Sequence, residues 1–318
     1  TRGDVVAKAY TNQHIVPQSY LKRFGIRSGD KTIIGTRIKK DKQFKFIYQS
    51  IENVGYIKNF YDVTDKEDPK YWEHFFGDEI EPLYGRAMDN IIEKVSLSQN
   101  NTTVLSAYDK EVLSKIIIAQ LLRIPDSIDY VEKQIYPIIS RQVKEAFLST
   151  FPQSRHDQIK NIEFSKPKIK ELLLNKSFAN ENFKRYCHIL QEDFWLVFVN
   201  TQCDLFPFAT SDNPVLVESI YSGLKTGLFD NGLANPYTTI FYPLSPAIAI
   251  AICSRQVLFA PVADIYDGKR MALDDVKFIL YKNSKIFEQA YQYSFLPQPL
   301  FELVTNPDLY IKPEGENE

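Results

Sequence analysis

"DFWLVFVNTQCDLFPFATSDNPVLVES", residues 193–219, is where this chain changes character. Upstream of it, apolar residues recur every three or four positions, the period of a helix. Within it, short runs of β-branched and aromatic residues are broken by Pro, Asn and Asp, the texture of short strands and turns. "TTIFYPL" (238–244) and "AIAIAICS" (247–254) continue that texture, so a mainly antiparallel sheet is expected from about 193 to 260. A covering helix is expected after it, from Leu273 to about Tyr293, with Val276, Ile279, Leu280, Ile286 and Phe287 on its apolar face.

Working upstream, two shorter helices are expected at Lys168–Leu174 and Glu181–Gln191. From Pro69 to about Ser96, Trp72, Phe75, Phe76, Ile80, Leu83, Ala87, Ile91 and Val95 hold the helical period. Ser106 is placed to cap a second long helix ending at Arg123. Pro125 interrupts, and a further helix reaches about Phe147. Further upstream, "KTIIGTRIKKDKQFKFIYQ" (31–49) alternates around a polar turn and reads as a hairpin. "SIENVGYIKNFYDV" (50–63) reads as a short helix and then a strand. Pro17 suits the first turn of a helix that Ser19–Phe24 continues and Gly25 ends. The fold class is therefore α+β: an N-terminal helix and β-hairpin unit (1–68), a helical bundle (69–191) and a β-rich sheet with a C-terminal helix (192–318), joined as one compact domain.

The 318 residues carry a net charge of −2, so no global field recruits nucleic acid, and an anionic partner has to be met by a local patch. With 22 Phe and 19 Tyr, the chain can bury a sizeable core. Cys187, Cys203 and Cys253 lie far apart without C-x-x-C spacing, which argues against a zinc site and a disulfide framework. No secretory signal is visible, and the longest apolar run, Ala247–Cys253, is too short to span a bilayer. A cytoplasmic location, no membrane contact, no metal and no cofactor are expected.

The familiar nucleotide, metal and serine-hydrolase motifs are absent, and three places remain for chemistry. His14 stands just before the Pro17 helix, where an imidazole can cap Pro17–Tyr20 backbone groups or act as general acid or base. Arg123, with Gln120 one turn earlier, ends an otherwise apolar helix, where a guanidinium can relieve the helix dipole or clamp a phosphate. Ser211, Asp212 and Asn213 follow a short strand and precede Pro214, as a plain turn or as a site at a strand end. The residues alone leave each pair of readings open. The cationic hairpin, with Arg37, Lys39, Lys40, Lys42 and Lys45, is either a phosphate contact or a solvated turn.

Taken in order, "QHIVPQSYLKRF", "NFYDV", "LLRIP", "FWLVFVNT…FATSDNPV", "YPLSP" and "VKFILYKNSKIFEQAYQYSF" resemble a bacterial family known as domain of unknown function four thousand two hundred and thirty-eight. The resemblance spans nearly the whole chain. Its most specific marks are the His-x-Val-Pro-x-x-Tyr-Leu opening and the Ser-Asp-Asn-Pro turn, and His14, Arg123 and Asp212 coincide with its marked positions. The resemblance implies antiphage defence: members occur in prophages and defence loci, and one is described as a HEPN-type protein that aborts infection on sensing a phage structural protein. HEPN ribonucleases carry Arg, four to six residues and then His on one helix, and none of the four histidines here has an Arg at that distance.

The expected function is thus an abortive-infection effector, a toxin that cleaves RNA without metal once a phage structural protein is present. His14 would be base or acid, Arg123 the phosphate clamp and Asp212 the group that orients the histidine. Gln120, Ser211 and Asn213 would line the substrate site, and Lys22 and Arg23 would extend its positive lining. All would share one pocket built by three distant segments. A non-catalytic phage-protein sensor and a nucleotide-phosphate hydrolase are the alternatives, and self-association into a homo-oligomer is left open.

Overall fold

A computed structural model gives the fold and describes residues 12–40, 43–63, 66–162, 166–220, 232–256 and 260–306. Asp41 and Lys42 of the expected hairpin turn lie outside the described residues. The chain opens with strand β1 (Asn12–His14) and a short helix α1 (Gln18–Leu21). Pro17 has an extended backbone, and its carbonyl accepts from the N–H groups of Tyr20 and Leu21. Strands β2 (Ile26–Ser28), β3 (Lys31–Lys40) and β4 (Gln43–Ser50) form the expected hairpin with one added strand. Gly25 serves a close approach: a Cβ there would stand 2.6 Å from the Thr32 side chain and 2.8 Å from the Ile33 carbonyl. After a 3-10 turn at Ile51–Asn53, β5 (Tyr56–Lys58) runs antiparallel to β1 and sets Tyr56 opposite His14.

The helical middle starts with α2 (Tyr71–Phe75) and reaches α3 (Met88–Leu97) through two π-helical turns, Phe76–Ile80 and Leu83–Ala87. The path breaks at Gly85, whose φ of −79° and ψ of −118° are not helical. Helix α4 (Ala107–Arg123) begins with the expected cap, made reciprocal by Asp109: the Ser106 hydroxyl accepts from Asp109 N–H, and the Asp109 carboxylate accepts from Ser106 N–H. Val112, Leu113, Ile116, Ile117, Ile118, Ala119, Leu121 and Leu122 are all buried, so the C-terminal half of α4 is enclosed on every side, while Tyr108, Glu111 and Lys115 leave its first turns facing solvent. Each such Val, Leu or Ile side chain contributes about 1.5–3 kcal/mol by leaving water.

Pro125 then opens α5 (Pro125–Tyr130), which passes through a π-helical turn into α6 (Tyr136–Thr150). Helices α7 (His156–Lys160), α8 (Lys166–Ser177) and α9 (Asn180–Glu192) complete the bundle, and α9 packs along α4.

The switch at Asp193 falls where the sequence places it. Strands β6 (Phe194–Asn200), β7 (Thr210–Ser211), β8 (Leu216–Ser219), β9 (Thr238–Ser245) and β10 (Ile248–Cys253) follow. The chain continues with α10 (Ala260–Tyr266), β11 (Lys269–Leu273), α11 (Val276–Gln289), β12 (Tyr293–Leu296) and α12 (Gln298–Thr305). One sheet has the order β11-β6-β10-β9-β8, antiparallel except for the parallel β11–β6 pair. The covering helix is shorter than expected, because Leu273 ends β11 and Tyr293 begins β12. Strand β12 leaves this sheet for the other one: it pairs with β3 of the hairpin on one side and with β7 on the other. A single buried cluster runs from Ile15 through α4 to Trp195, Tyr242 and Phe295, so hairpin, bundle and sheet share one core. Among the described residues, no helix is long and apolar enough to cross a membrane.

Candidate functional site

Arg123 is the last residue of α4 because Ile124, which precedes Pro125, takes an extended backbone at φ −82° and ψ 153°. Its guanidinium is fully buried. Taking such a charge out of water is costly unless partners surround it. Nε donates to the Tyr61 hydroxyl at 3.1 Å, Nη2 donates to the His14 carbonyl, and Nη2 lies 3.6 Å from Glu81 Oε1. The Phe76 ring lies beneath it, 4.6 Å from the guanidinium carbon. Nη1 has no hydrogen-bond partner among the described residues and is itself buried, so one N–H group of the cation is unpaired. Burial alone works against the charge, but Tyr61 and Glu81 reverse that, and the group stays more basic than usual. The Tyr61 hydroxyl also donates to the Arg123 carbonyl at 3.2 Å, closing the end of α4. Burial pushes that phenol up to about 12.

His14 stands beside this cation at the end of β1. Burial, and then the Arg123 charge, lower its imidazole from the usual 6.5 to about 4, so it is neutral at pH 7. The Gln18 side-chain nitrogen sits 3.0 Å from His14 Nε2; with the amide as donor, Nε2 accepts and the ring proton lies on Nδ1. The Tyr56 ring meets the imidazole edge-on, with centroids 5.8 Å apart. The other histidines are outlying: His74 pairs with Asp68, His188 with Glu192, and His156 approaches the Phe151 carbonyl.

Two carboxylates complete the group, Glu73 and Glu81, and sequence reasoning did not find them. In a regular helix, residues eight apart differ by about 80° in azimuth. The π-helical turn at Phe76–Ile80 lies between these two and absorbs an extra residue, which turns Glu81 back towards the face that carries Glu73 and Phe76. Glu73 is half-buried, and burial raises its carboxyl above the usual range; the Arg123 charge lowers it and Glu81 raises it further. The one available signal was an acidic pair flanking a Phe that reads as core.

The remaining expected site residues have other partners. Asp212 does not pair with Arg123 and does not reach His14. Its Oδ1 accepts from Tyr291 N–H at 2.8 Å, and its Oδ2 accepts from Gln292 and Tyr293 at 2.7 and 2.8 Å. It therefore holds the turn between α11 and β12. Burial pushes its carboxyl up to about 7 while the three N–H donors pull the other way. Ser211 closes a local turn on Asn213, whose side chain reaches Asp126 at 3.2 Å. That contact brings the Ser-Asp-Asn-Pro turn to the start of α5, near Arg123 in the chain, without presenting a carboxylate to the cation. Gln120 donates to the Ile15 carbonyl at 2.9 Å and accepts from Tyr84, which ties α4 to β1. Arg23 does not extend a positive lining, because it is consumed by the Tyr84 and Gly85 carbonyls and by Asp89. Lys22 lies 3.8 Å from the same Asp89. Of the expected pocket, His14 and Arg123 come together; Glu81 is the carboxylate beside the guanidinium, and Gln18, not Asp212, contacts the His14 ring.

No group of three or more His, Cys, Asp or Glu able to hold a metal is found among the described residues. The family model described as "Protein of unknown function (DUF4238)" matches residues 12–259. No curated protein and no solved structure matches the chain.

Proposed function

We propose that this chain, which belongs to the DUF4238 family, is an antiphage effector that cleaves RNA without a metal, in the cytoplasm, once a phage structural protein triggers it. The biological setting rests on the family resemblance. The chemistry rests on one observation: a fully buried guanidinium with an unpaired N–H face lies beside a histidine held neutral at pH 7. A cation with a vacant donor suits a phosphate oxygen, and worth is added by the low-dielectric surroundings. A neutral imidazole is the form that takes a proton. RNA carries its own nucleophile, so the 2′-hydroxyl needs only a base and a stabilised phosphorane. In this reading Arg123 clamps the phosphate and His14 accepts the 2′-proton at Nε2, after the Gln18 amide that occupies this nitrogen has given way. Glu81 and Tyr61 hold the guanidinium in place, and Asp212 supports the fold.

The test is incubation of purified protein with structured and single-stranded RNA, with and without EDTA. EDTA-resistant cleavage ending in 2′,3′-cyclic phosphate is expected. His14→Ala and Arg123→Lys should each reduce it by about 10²-fold or more. Intact RNA under all conditions, in the presence of phage lysate as a source of trigger, would overturn the reading.

A further inference from the structure

None of the 15 residues of α6 is buried. Helices in folded proteins draw most of their stability from a packed face, and one of this length is marginal in water alone. Ile138, Ile139 and Phe147 of α6 are nevertheless exposed, and so is Phe151 just past its end, whose ring meets Phe147 edge-on at 5.7 Å. Exposed apolar surface of this kind marks a contact with another molecule. Tyr136, Ser140, Lys144, Phe147 and Leu148 recur at threes and fours and so share one side of the helix.

A groove of about 420 Å³ runs along that side, bounded by Lys160 at the end of α7. Tyr136, Pro137 and Leu148 give it an apolar lining, while Arg141, Lys144 and Lys160 set three cations against the single carboxylate of Glu145. Those cations keep their charge for a partner. Lys144 Nζ donates to the Lys160 carbonyl at 2.9 Å, and a carbonyl does not neutralise it. Arg141 lies 3.9 Å from Glu145 and Lys160 lies 3.8 Å from Asp157, all four largely exposed, and such loose surface pairs contribute little.

We propose that this groove is the docking surface for a protein partner that presents an acidic amphipathic helix. The partner's apolar face would pack on Tyr136, Phe147 and Leu148, and its carboxylates would stand opposite Arg141, Lys144 and Lys160. Charge complementarity selects this occupant. A second copy of the chain brings the same surplus of cations to the same face, so a two-fold pairing sets like charges against each other. An RNA strand carries a charge at every nucleotide and meets Glu145 and Asp157 beside the cations, whereas a protein segment places its acids only where the cations stand. The chain is helical without interruption from Pro125 to Thr150, so the groove and Arg123, just before that run, lie along one continuous element. Neither RNA cleavage nor its trigger is needed for this binding, because the groove is already open at the surface.

Full-length protein is titrated into a fluorescein-labelled peptide of Leu and Glu, with the leucines on one helical face and the glutamates on the other, and into its counterpart with Lys in place of every Glu. Fluorescence anisotropy should show saturable binding of the acidic peptide, about tenfold or more tighter than the basic one. Arg141→Glu and Phe147→Ser should each weaken the acidic peptide by about tenfold or more, and, being changes of exposed side chains, should leave the melting temperature at the wild-type value. An acidic peptide that does not bind, or that binds both variants as tightly as wild type, overturns the proposal. So does an oligouridine that binds more tightly than the peptide and is lost in Arg141→Glu, which would make the groove an RNA surface. A wild-type dimer in sedimentation that Phe147→Ser dissociates would make it a self-association face and overturns the proposal as well.

Discussion

Arg123 and Glu81 form an unequal pair: the ions lie 3.6 Å apart, with the arginine side chain 1 % exposed and the glutamate 37 % exposed. Removing the carboxylate leaves a buried cation with hydrogen bonds but no ion pair of its own among the described residues. Breaking a fully buried pair costs about 3–5 kcal/mol, and solvent on the Glu81 side screens part of that. Glu81→Gln should therefore lower stability by about 1–2 kcal/mol, read as a lower urea midpoint at unchanged slope. A midpoint equal to wild type would mean that another group neutralises Arg123.

Asp212 should behave as a structural residue. Its carboxylate satisfies the N–H groups of Tyr291, Gln292 and Tyr293 in the turn that leads β12 into the hairpin sheet. An amide in its place turns a donor towards at least one of these donors. Asp212→Asn should cost about 2–3 kcal/mol, the range for buried hydrogen bonds to a charged acceptor. The remaining folded fraction should keep the proposed RNA-cleaving activity once corrected for population. Full stability with lost activity would return Asp212 to the site.

The sequence's own patterns reach some of this and stop short elsewhere, for physical reasons. The period change at Asp193 is visible because strand and helix patterns differ most in long runs. The convergence of His14 and Arg123 follows from the cost of a buried guanidinium, which demands a partner without naming it. Glu81 stayed hidden because a regular helical wheel puts it away from Glu73, and no local residue preference marks a π-helical turn. Strand β11, "KRMAL", was missed because it lacks the alternation of a half-buried strand and pairs in parallel along β6. The β12 strand, which starts where the expected helix ends at Tyr293, was left unassigned, since "YSFL" is only four residues long and runs straight into Pro297.

Tyr20 links the N-terminal helix to the far end of the chain. Its hydroxyl donates to the Pro243 carbonyl at 2.7 Å and lies 2.7 Å from the Thr210 hydroxyl, and its ring stacks on Tyr242 at 5.5 Å. Tyr20→Phe keeps the ring and leaves two buried polar groups short of a partner. The expected loss is about 1–3 kcal/mol. Because hairpin, bundle and sheet share one core, the variant should still melt in a single calorimetric transition. Two separated transitions would show that the N-terminal segment docks as an independent unit.

The neutral His14 sets a pH window. Its pKa falls from 6.5 to about 4 on folding, so between those values the unfolded chain binds a proton that the folded chain refuses. Stability contributed by this group is fully present above pH 6.5 and is lost as pH falls towards 4. The groups that face the ring are Arg123, whose charge opposes protonation, Gln18, whose amide occupies Nε2, and Tyr56, whose ring packs on its edge. A full shift of this size corresponds to roughly 3 kcal/mol, and residual solvent contact trims it to about 2 kcal/mol. His14→Gln cannot titrate and should escape that loss. Urea midpoints at pH 7 and pH 4 should thus drop more for the wild type than for His14→Gln, by the equivalent of about 2 kcal/mol. Equal drops would show that the imidazole takes up its proton as freely folded as unfolded, and the case for a neutral base beside Arg123 would fall with it.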